Sequence, residues 1–429
     1  MILACTAPPM NNQPKPELSR KPTIHFGIFV LALIVLSVFG SLGLARFGYT
    51  SILPAMQQGL ALTNTQTGIL QSLNLIGYMI AVVFAGMLAS RFGPRIVISV
   101  SLLIVGLSML FTGLIPHFGA ACFGRFFAGV GGAGGNVPAM GLVSAWFSAR
   151  RRGLATGIGV TGSSIGLIVT GPMIPVILNR YGSRGWQVSW YVLGGITVLV
   201  AVVCALFLRN HPREKNLRPI GENGTEKAPQ TDAAGFDWKQ IIKSRVLWQL
   251  AAIYCAFGFS YIIYSTFFVR HLVSDGLFTS DSAGTLWMQI GLVSMASGFV
   301  WGSISDHWGR TFSLLCVFTL QGISFSIFGL SETATIIYLS AALFAVTSWS
   351  IPALMAALAG DVFGSRLAPA ALGLMTIVFG TGQALGPYLA GVVADSTNSF
   401  SSAFILAGGV ALIFGAGGTL LLRKTQKNL

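Results

Sequence analysis

Apolar runs of about twenty residues alternate with short polar breaks from residue 24 to residue 422. The runs are continuous in polarity, so each predicts a bilayer-crossing helix and none a strand of a membrane barrel. Twelve spans can be placed, six within 24–208 and six within 246–422. The expected fold is therefore an all-α membrane protein of two six-helix halves. Polar tails at 1–23 and 423–429 flank it. The one long polar break, 209–245, carries Pro212, Pro219 and Pro229 and reads as a linker, with a short amphipathic stretch near 236–242.

The two halves repeat one another. Gly86, Ser90, Arg91, Gly93 and Arg95 mark the break between spans 2 and 3. Gly302, Asp306, Gly309 and Arg310 mark the break between spans 8 and 9. Gly86 maps onto Gly302, Ser90 onto Asp306 and Gly93 onto Gly309 at one offset of 216 residues. Within two residues of that offset, Pro138 maps onto Pro352, Arg150 onto Arg366 and Gly171-Pro172 onto Gly386-Pro387. Landmarks matched at one spacing mean an internal duplication, so the halves are pseudo-symmetric. A duplicated polytopic chain is the usual build of a secondary transporter, whose site lies between the halves near the bilayer midplane.

Composition excludes a water-soluble alternative. Only 9% of the 429 residues are charged and 53% are hydrophobic, with mean hydropathy +0.74. Soluble domains carry about 25% charged residues. The lipid bilayer is thus the first partner, and the first apolar run, too long for a signal-peptide core, reads as a retained span. The net charge of +14 does not call for nucleic acid, because its placement accounts for it. With both termini on the cytoplasmic side, all but five of the 26 basic residues fall on that side. The five cysteines are scattered without metal-ligand or disulfide spacing, and no His, Cys and acid cluster is present, so neither metal nor cofactor is expected.

The loop residues Gly86, Leu88, Arg91, Gly93 and Arg95, their repeat at Gly302–Arg310, and Arg125, Gly129 and Gly131 of span 4 resemble the major facilitator superfamily of transporters over essentially the whole chain. The resemblance implies alternating access between the halves, with the loop motifs as a cytoplasmic gate. Ser90 stands where the family has an acid, which leaves the first copy a neutral hydrogen bond at most; Asp306 keeps the acid in the second. A narrower pattern, from Gly129 through Pro138, Trp146, Arg151 and Arg152 to Gly157, is similar to monocarboxylate and oxalate/formate-type carriers. The charge those carriers place in span 8 is missing here. Ala45–Tyr49 and Asn74–Tyr78 are similar to a further bacterial branch of the superfamily.

Glycine strings at 129–134 and 157–162 mimic a dinucleotide fingerprint, but both lie inside apolar helical runs and follow no strand. Close helix packing explains them, as it does Gly131/Gly135, Gly153/Gly157, Gly162/Gly166 and Gly382/Gly386. Gly171-Pro172 and Gly386-Pro387 are expected bends.

Charge inside the membrane carries the chemistry. No acid lies between Glu17 and Glu214, so the first six spans hold no carboxylate. Arg46 and Arg125 nevertheless fall within spans. A buried charge needs a partner, so an anionic substrate is one candidate counter-ion. Arg46 could instead snorkel to the interface, and Arg125 could be a structural part of span 4. Gln71, Asn74 and Tyr78 on span 2, Tyr261 and Tyr264 on span 7 and Trp287 on span 8 complete the candidate cavity. The expected function is secondary transport of a small organic anion such as a monocarboxylate; the alternative is export of hydrophobic or drug-like compounds. A proton carried with a weak acid, or anion exchange, requires no membrane-embedded carboxylate. No catalytic constellation is present, so an enzyme is not expected. Short tails and short outer loops suit the bacterial inner membrane, and a monomer is expected.

Overall fold

Helices end where residue chemistry stops them. The computed structural model describes residues 25–221, 242–274 and 276–427; the expected tail at 1–23 and amphipathic stretch at 236–241 lie outside them. Thr63 and Gln66 form a reciprocal capping box that starts one helix. Gly93, at φ 86° and ψ 142°, ends it, and Pro94 begins the next. Gly309, at φ 94° and ψ 149°, ends the corresponding helix of the second half, so the duplication extends to backbone dihedrals.

Among the described residues the helices are α1 (Phe26–Gly59), α2 (Asn64–Phe92), α3 (Pro94–Leu114), α4 (Phe118–Trp146), α5 (Ala149–Tyr181), α6 (Gly185–Phe207), α7 (Arg245–Ser274), α8 (Ser280–Trp308), α9 (Arg310–Leu330), α10 (Ala334–Gly364), α11 (Leu367–Thr397) and α12 (Ser401–Arg423). A single 3-10 turn, Gly182–Arg184, parts α5 from α6. Counted without that turn there are 11 long apolar helical stretches, and with it twelve crossings. Ile80, Val83, Phe84, Leu199, Ile413 and Phe414 are exposed on the outer surface. Such a surface is stable only in lipid, where the helices satisfy their own backbone groups.

Close backbone approach brings the helices together. Gly43 of α1 meets Gly162 and Gly166 of α5, and Gly129 of α4 lies against the Asn74 carbonyl of α2. Gly382 and Gly386 lie on the Cys255 and Phe259 carbonyls of α7. Gly153 differs from expectation, facing open space. A Cβ at Gly166 would overlap the Gly43 backbone. Gly166→Leu is therefore expected to lose about 1–3 kcal/mol of stability, read as a lowered melting temperature in detergent; an unchanged melting temperature would discount this crossing.

Helix α5 runs through Gly171-Pro172 and α11 through Gly386-Pro387. The non-helical residue in the α10–α11 region is instead Gly364, at φ 69° and ψ 168°. The start of the linker is not a free spacer. The Trp146 indole donates to the Arg209 carbonyl at 3.1 Å. Ile220 N–H donates to the Trp146 carbonyl at 2.8 Å, and Leu217 and Ile220 pack on the first half's core.

The halves meet along α2–α11, α5–α8 and α1–α7. Their polar contacts run from mid-helix to the end away from the basic loops. Asp395 of α11 accepts from Asn64 N–H at 2.9 Å, Thr65 N–H at 2.8 Å and the Thr65 hydroxyl at 2.5 Å, all on the first turn of α2. Asn179 donates to Asp281, Thr50 to the Ser265 carbonyl, and Arg270 to Gln57. At mid-helix the Ser164 and Ser294 hydroxyls pair at 2.9 Å.

The basic-end motifs bond within their own halves. Arg95 donates through Nε and Nη2 to the Ala205 carbonyl at 2.9 and 2.6 Å, and its N–H to Asn210. The Ser90 hydroxyl bonds the Met87 carbonyl of its own helix, and Arg91 lies over Phe92. Arg310 pairs with Asp306 at 2.5 Å and Asp361 at 3.4 Å. A Cβ at Gly86 or Gly302 would meet nothing within 4 Å. The two halves are thus held together at the end bearing Asp395, while the basic-end motifs bond within their own halves.

Candidate functional site

The two membrane arginines sit at the centre of the first half, and their surroundings differ. The α2–α4 contact at Gly129 brings Gln71 and Asn74 onto Arg125. Arg125 donates through Nη2 to Gln71 Oε1 at 2.5 Å and through Nη1 to the Ala45 carbonyl at 2.6 Å. Asn74 donates to the Arg125 carbonyl at 3.1 Å. The guanidinium lies 4.4 Å from the Tyr49 ring and 5.7 Å from Trp190, and the residue is only 1% exposed. Both terminal nitrogens are thus engaged within the first half, while Nε, like that of Arg46, is buried without a hydrogen-bond partner. Arg125→Ala would leave the Gln71 and Ala45 oxygens without that donor. It is expected to cost about 2 kcal/mol or more, read by thermal unfolding; unchanged stability would contradict the structural role.

Arg46 occupies a different backbone. Residues Phe39–Phe47 form a π-helical turn, in which Gly48 N–H reaches back to the Gly43 carbonyl. Such turns are rare and concentrate at functional sites. Arg46 is 7% exposed and lies 4.6 Å over the Tyr78 ring. Its Nε is buried without a hydrogen-bond partner, and among the described residues no carboxylate pairs with it. The Tyr261 hydroxyl, from the second half, lies near enough for the Arg46 charge to act on it. Gln383 of α11 donates to that hydroxyl, and Asn136 of α4 donates to the Tyr78 hydroxyl at 2.9 Å. A cation and four polar groups from both halves therefore converge between α1, α2, α4, α7 and α11.

Beside them lies an aromatic wall. Tyr254 stacks on Phe379 at 4.3 Å and Phe257 on Tyr261 at 4.6 Å, all four rings near parallel. Phe47, next to Arg46, meets Trp349 at 5.5 Å, and the Trp349 indole donates to Ser164 across the halves.

The structure brings Arg46, Tyr78 and Tyr261 together and places Gln71, Asn74 and Arg125 directly behind them. Two expected members lie elsewhere. Tyr264 is enclosed by Phe325, Phe328, Phe344 and Phe404, its hydroxyl bonded to Ser340. Trp287 is buried against Phe268. Both are core of the second half; on α7, Tyr261 meets Gln383 whereas Tyr264, three residues on, faces the bundle interior. Sequence reasoning missed Asn136, Gln383 and Phe379. The two amides carried the same signal as Asn74, a lone amide in an apolar run.

Two pseudo-symmetric six-helix bundles with a polar site between them define a multi-pass membrane transporter, not an enzyme. The family model described as "Uncharacterised MFS-type transporter YbfB" matches residues 38–419, and the chain belongs to that family of the major facilitator superfamily. It is 25% identical to the hexuronate transporter of Bacillus subtilis, over 84% of this chain and 86% of that one. It is 23% identical to a putative tartrate transporter of Agrobacterium vitis over 97% of each. The fold matches the inward-facing, unoccupied crystal structure of a bacterial homologue of the human lysosomal transporter Spinster, with TM-score 0.75, 17% identity, and coverage of 95% of this chain and 99% of that one.

Proposed function

We propose that the protein moves a small organic anion across the membrane by alternating access, with the anion held by Arg46 between the halves. The observation that carries this reading is the buried Arg46 guanidinium, over the Tyr78 ring, with which no carboxylate pairs among the described residues. An unpaired charge at that depth costs at least about 2.5 kcal/mol, and a bound anion offsets it. The names of the two relatives, hexuronate and tartrate transporters, support the same class.

Both termini are read as cytoplasmic, an orientation the basic loops support, so the end bearing Asp395 faces outward. The protein is read as a monomer of the bacterial inner membrane. A proton accompanies the anion, or a second anion is exchanged for it. Uptake of radiolabelled weak acids into proteoliposomes, with and without an imposed pH gradient, tests the reading. Saturable uptake of an acid supports it, and the gradient response distinguishes proton coupling from exchange. Binding of lipophilic cations with no acid transported would favour export of hydrophobic compounds instead.

A further inference from the structure

We infer that the folded start of the linker, residues 209–220, is a binding site for an anionic phospholipid, its headgroup attracted by Lys215, Arg213 and Arg218 and its acyl chains lying on Phe29 and Phe207. This strap is fixed to the first half at both ends of one residue. Ile220 N–H donates to the Trp146 carbonyl at 2.8 Å, and Ser148 N–H donates to the Ile220 carbonyl at 3.0 Å. Leu217 and Ile220 pack on the core beneath. The turn Pro212–Lys215 is fastened from within, because Glu214 accepts from Asn210 N–H at 2.9 Å and from His211 N–H at 3.1 Å.

That fastening decides the charge. The strap carries four cations and one acid. Arg209 is engaged on the Leu206 and Leu208 carbonyls at 2.9 and 2.7 Å, and Glu214 on the backbone of its own turn. Arg213, Lys215 and Arg218 are exposed, and among the described residues no carboxylate pairs with them. Arg213 and Arg218 also line a cleft of about 650 Å³ beside Ala145. On the other side the charge runs into a ladder of rings. The Lys215 ammonium lies 5.4 Å over the Phe26 ring, Phe26 lies 5.5 Å from Phe29, and Phe29 meets Phe207 edge-on at 6.0 Å. Phe29 and Phe207, near the ends of α1 and α6, are 41% and 49% exposed on the outer surface. Cation and lipid-facing rings are therefore continuous. A zwitterionic lipid gains only the chain contact here, whereas an anionic one is favoured further, about fivefold for each cation near the surface.

The test mixes the full chain, in dodecyl maltoside micelles, with equimolar dioleoyl phosphatidylglycerol and dioleoyl phosphatidylcholine, and counts the most tightly retained lipid by native mass spectrometry. The acyl chains are identical, so the headgroup decides any preference. Wild type is expected to retain phosphatidylglycerol in preference. Lys215→Ala is expected to lower that preference about fivefold, and Lys215→Arg to keep it. Lys215 is exposed, so these substitutions leave the fold intact. Arg423→Ala removes an exposed cation from the same end, on α12, and is expected to leave the preference within about twofold. Phe29→Ala should lower retention of both lipids alike. Equal retention of the two lipids by wild type would overturn the inference and leave the cations of the strap to a soluble acidic partner. An equal loss of preference in Lys215→Ala and Arg423→Ala would also overturn it, since preference would then follow net charge alone. So would unchanged retention of both lipids in Phe29→Ala.

Discussion

Arg46→Ala is expected to abolish transport while leaving the protein folded. Truncating one partner of a buried, hydrogen-bonded charge pair costs about 2–5 kcal/mol, or roughly 30- to 4,000-fold in binding. The stability consequence has an unusual sign. In the empty protein Arg46 holds a buried charge that no carboxylate compensates, against which stands its contact with the Tyr78 ring. A cation–π contact contributes about 0.5–2 kcal/mol, and an unpaired charge in the membrane costs at least about 2.5 kcal/mol. The variant should therefore melt at or above the wild-type temperature in the absence of substrate. A structural arginine would do the reverse, as is expected of Arg125, whose terminal nitrogens are both bonded. Arg46→Lys keeps the charge and loses the planar fork, so partial transport is expected. Normal uptake by a correctly inserted Arg46→Ala protein would remove this residue from the site.

The second large effect is expected at Asp395. Its carboxylate accepts three hydrogen bonds from the first turn of α2 in the other half. That turn carries the positive end of the α2 dipole and unsatisfied N–H groups, so an anion is favoured there. Because the contact crosses the halves, it forms when this end closes and breaks when it opens. Asp395→Asn removes the charge and one acceptor. At about 1.5–3 kcal/mol for hydrogen bonds to a charged group, the closed population should fall by roughly 10- to 100-fold. Thr65→Ala removes one of the three bonds and should give a smaller shift. Spin labels at Gln58 and Ser396, both exposed at this end, would report the change as a longer and broader distance distribution. An identical distribution in wild type and Asp395→Asn would show that the latch rests on other contacts, such as the Asn179–Asp281 pair.

Much of the architecture was legible because the bilayer leaves a chain few options. Apolar runs long enough to span, broken by Gly93-Pro94 or Gly309, have no stable alternative to helices. The duplication followed from residues at turns, where backbone conformation restricts the choice of side chain, so Gly93 and Gly309 share dihedrals as well as sequence position. The candidate arginines were legible for the same reason, since charge is conspicuous in a chain that is 9% charged.

What the chain order alone determined is therefore the number of spans, the two halves and the presence of two buried cations. Only the tertiary structure distinguished those cations. Gln71 and the Ala45 carbonyl reach the terminal nitrogens of Arg125 through contacts between helices far apart in sequence, and Arg46, on the π-helical turn, lies over the Tyr78 ring. The same holds for Tyr261 and Tyr264, three residues apart on one helix yet facing a polar site and an aromatic core. The division depends on how α7 is rotated against α11, which side-chain packing between helices sets and local sequence does not.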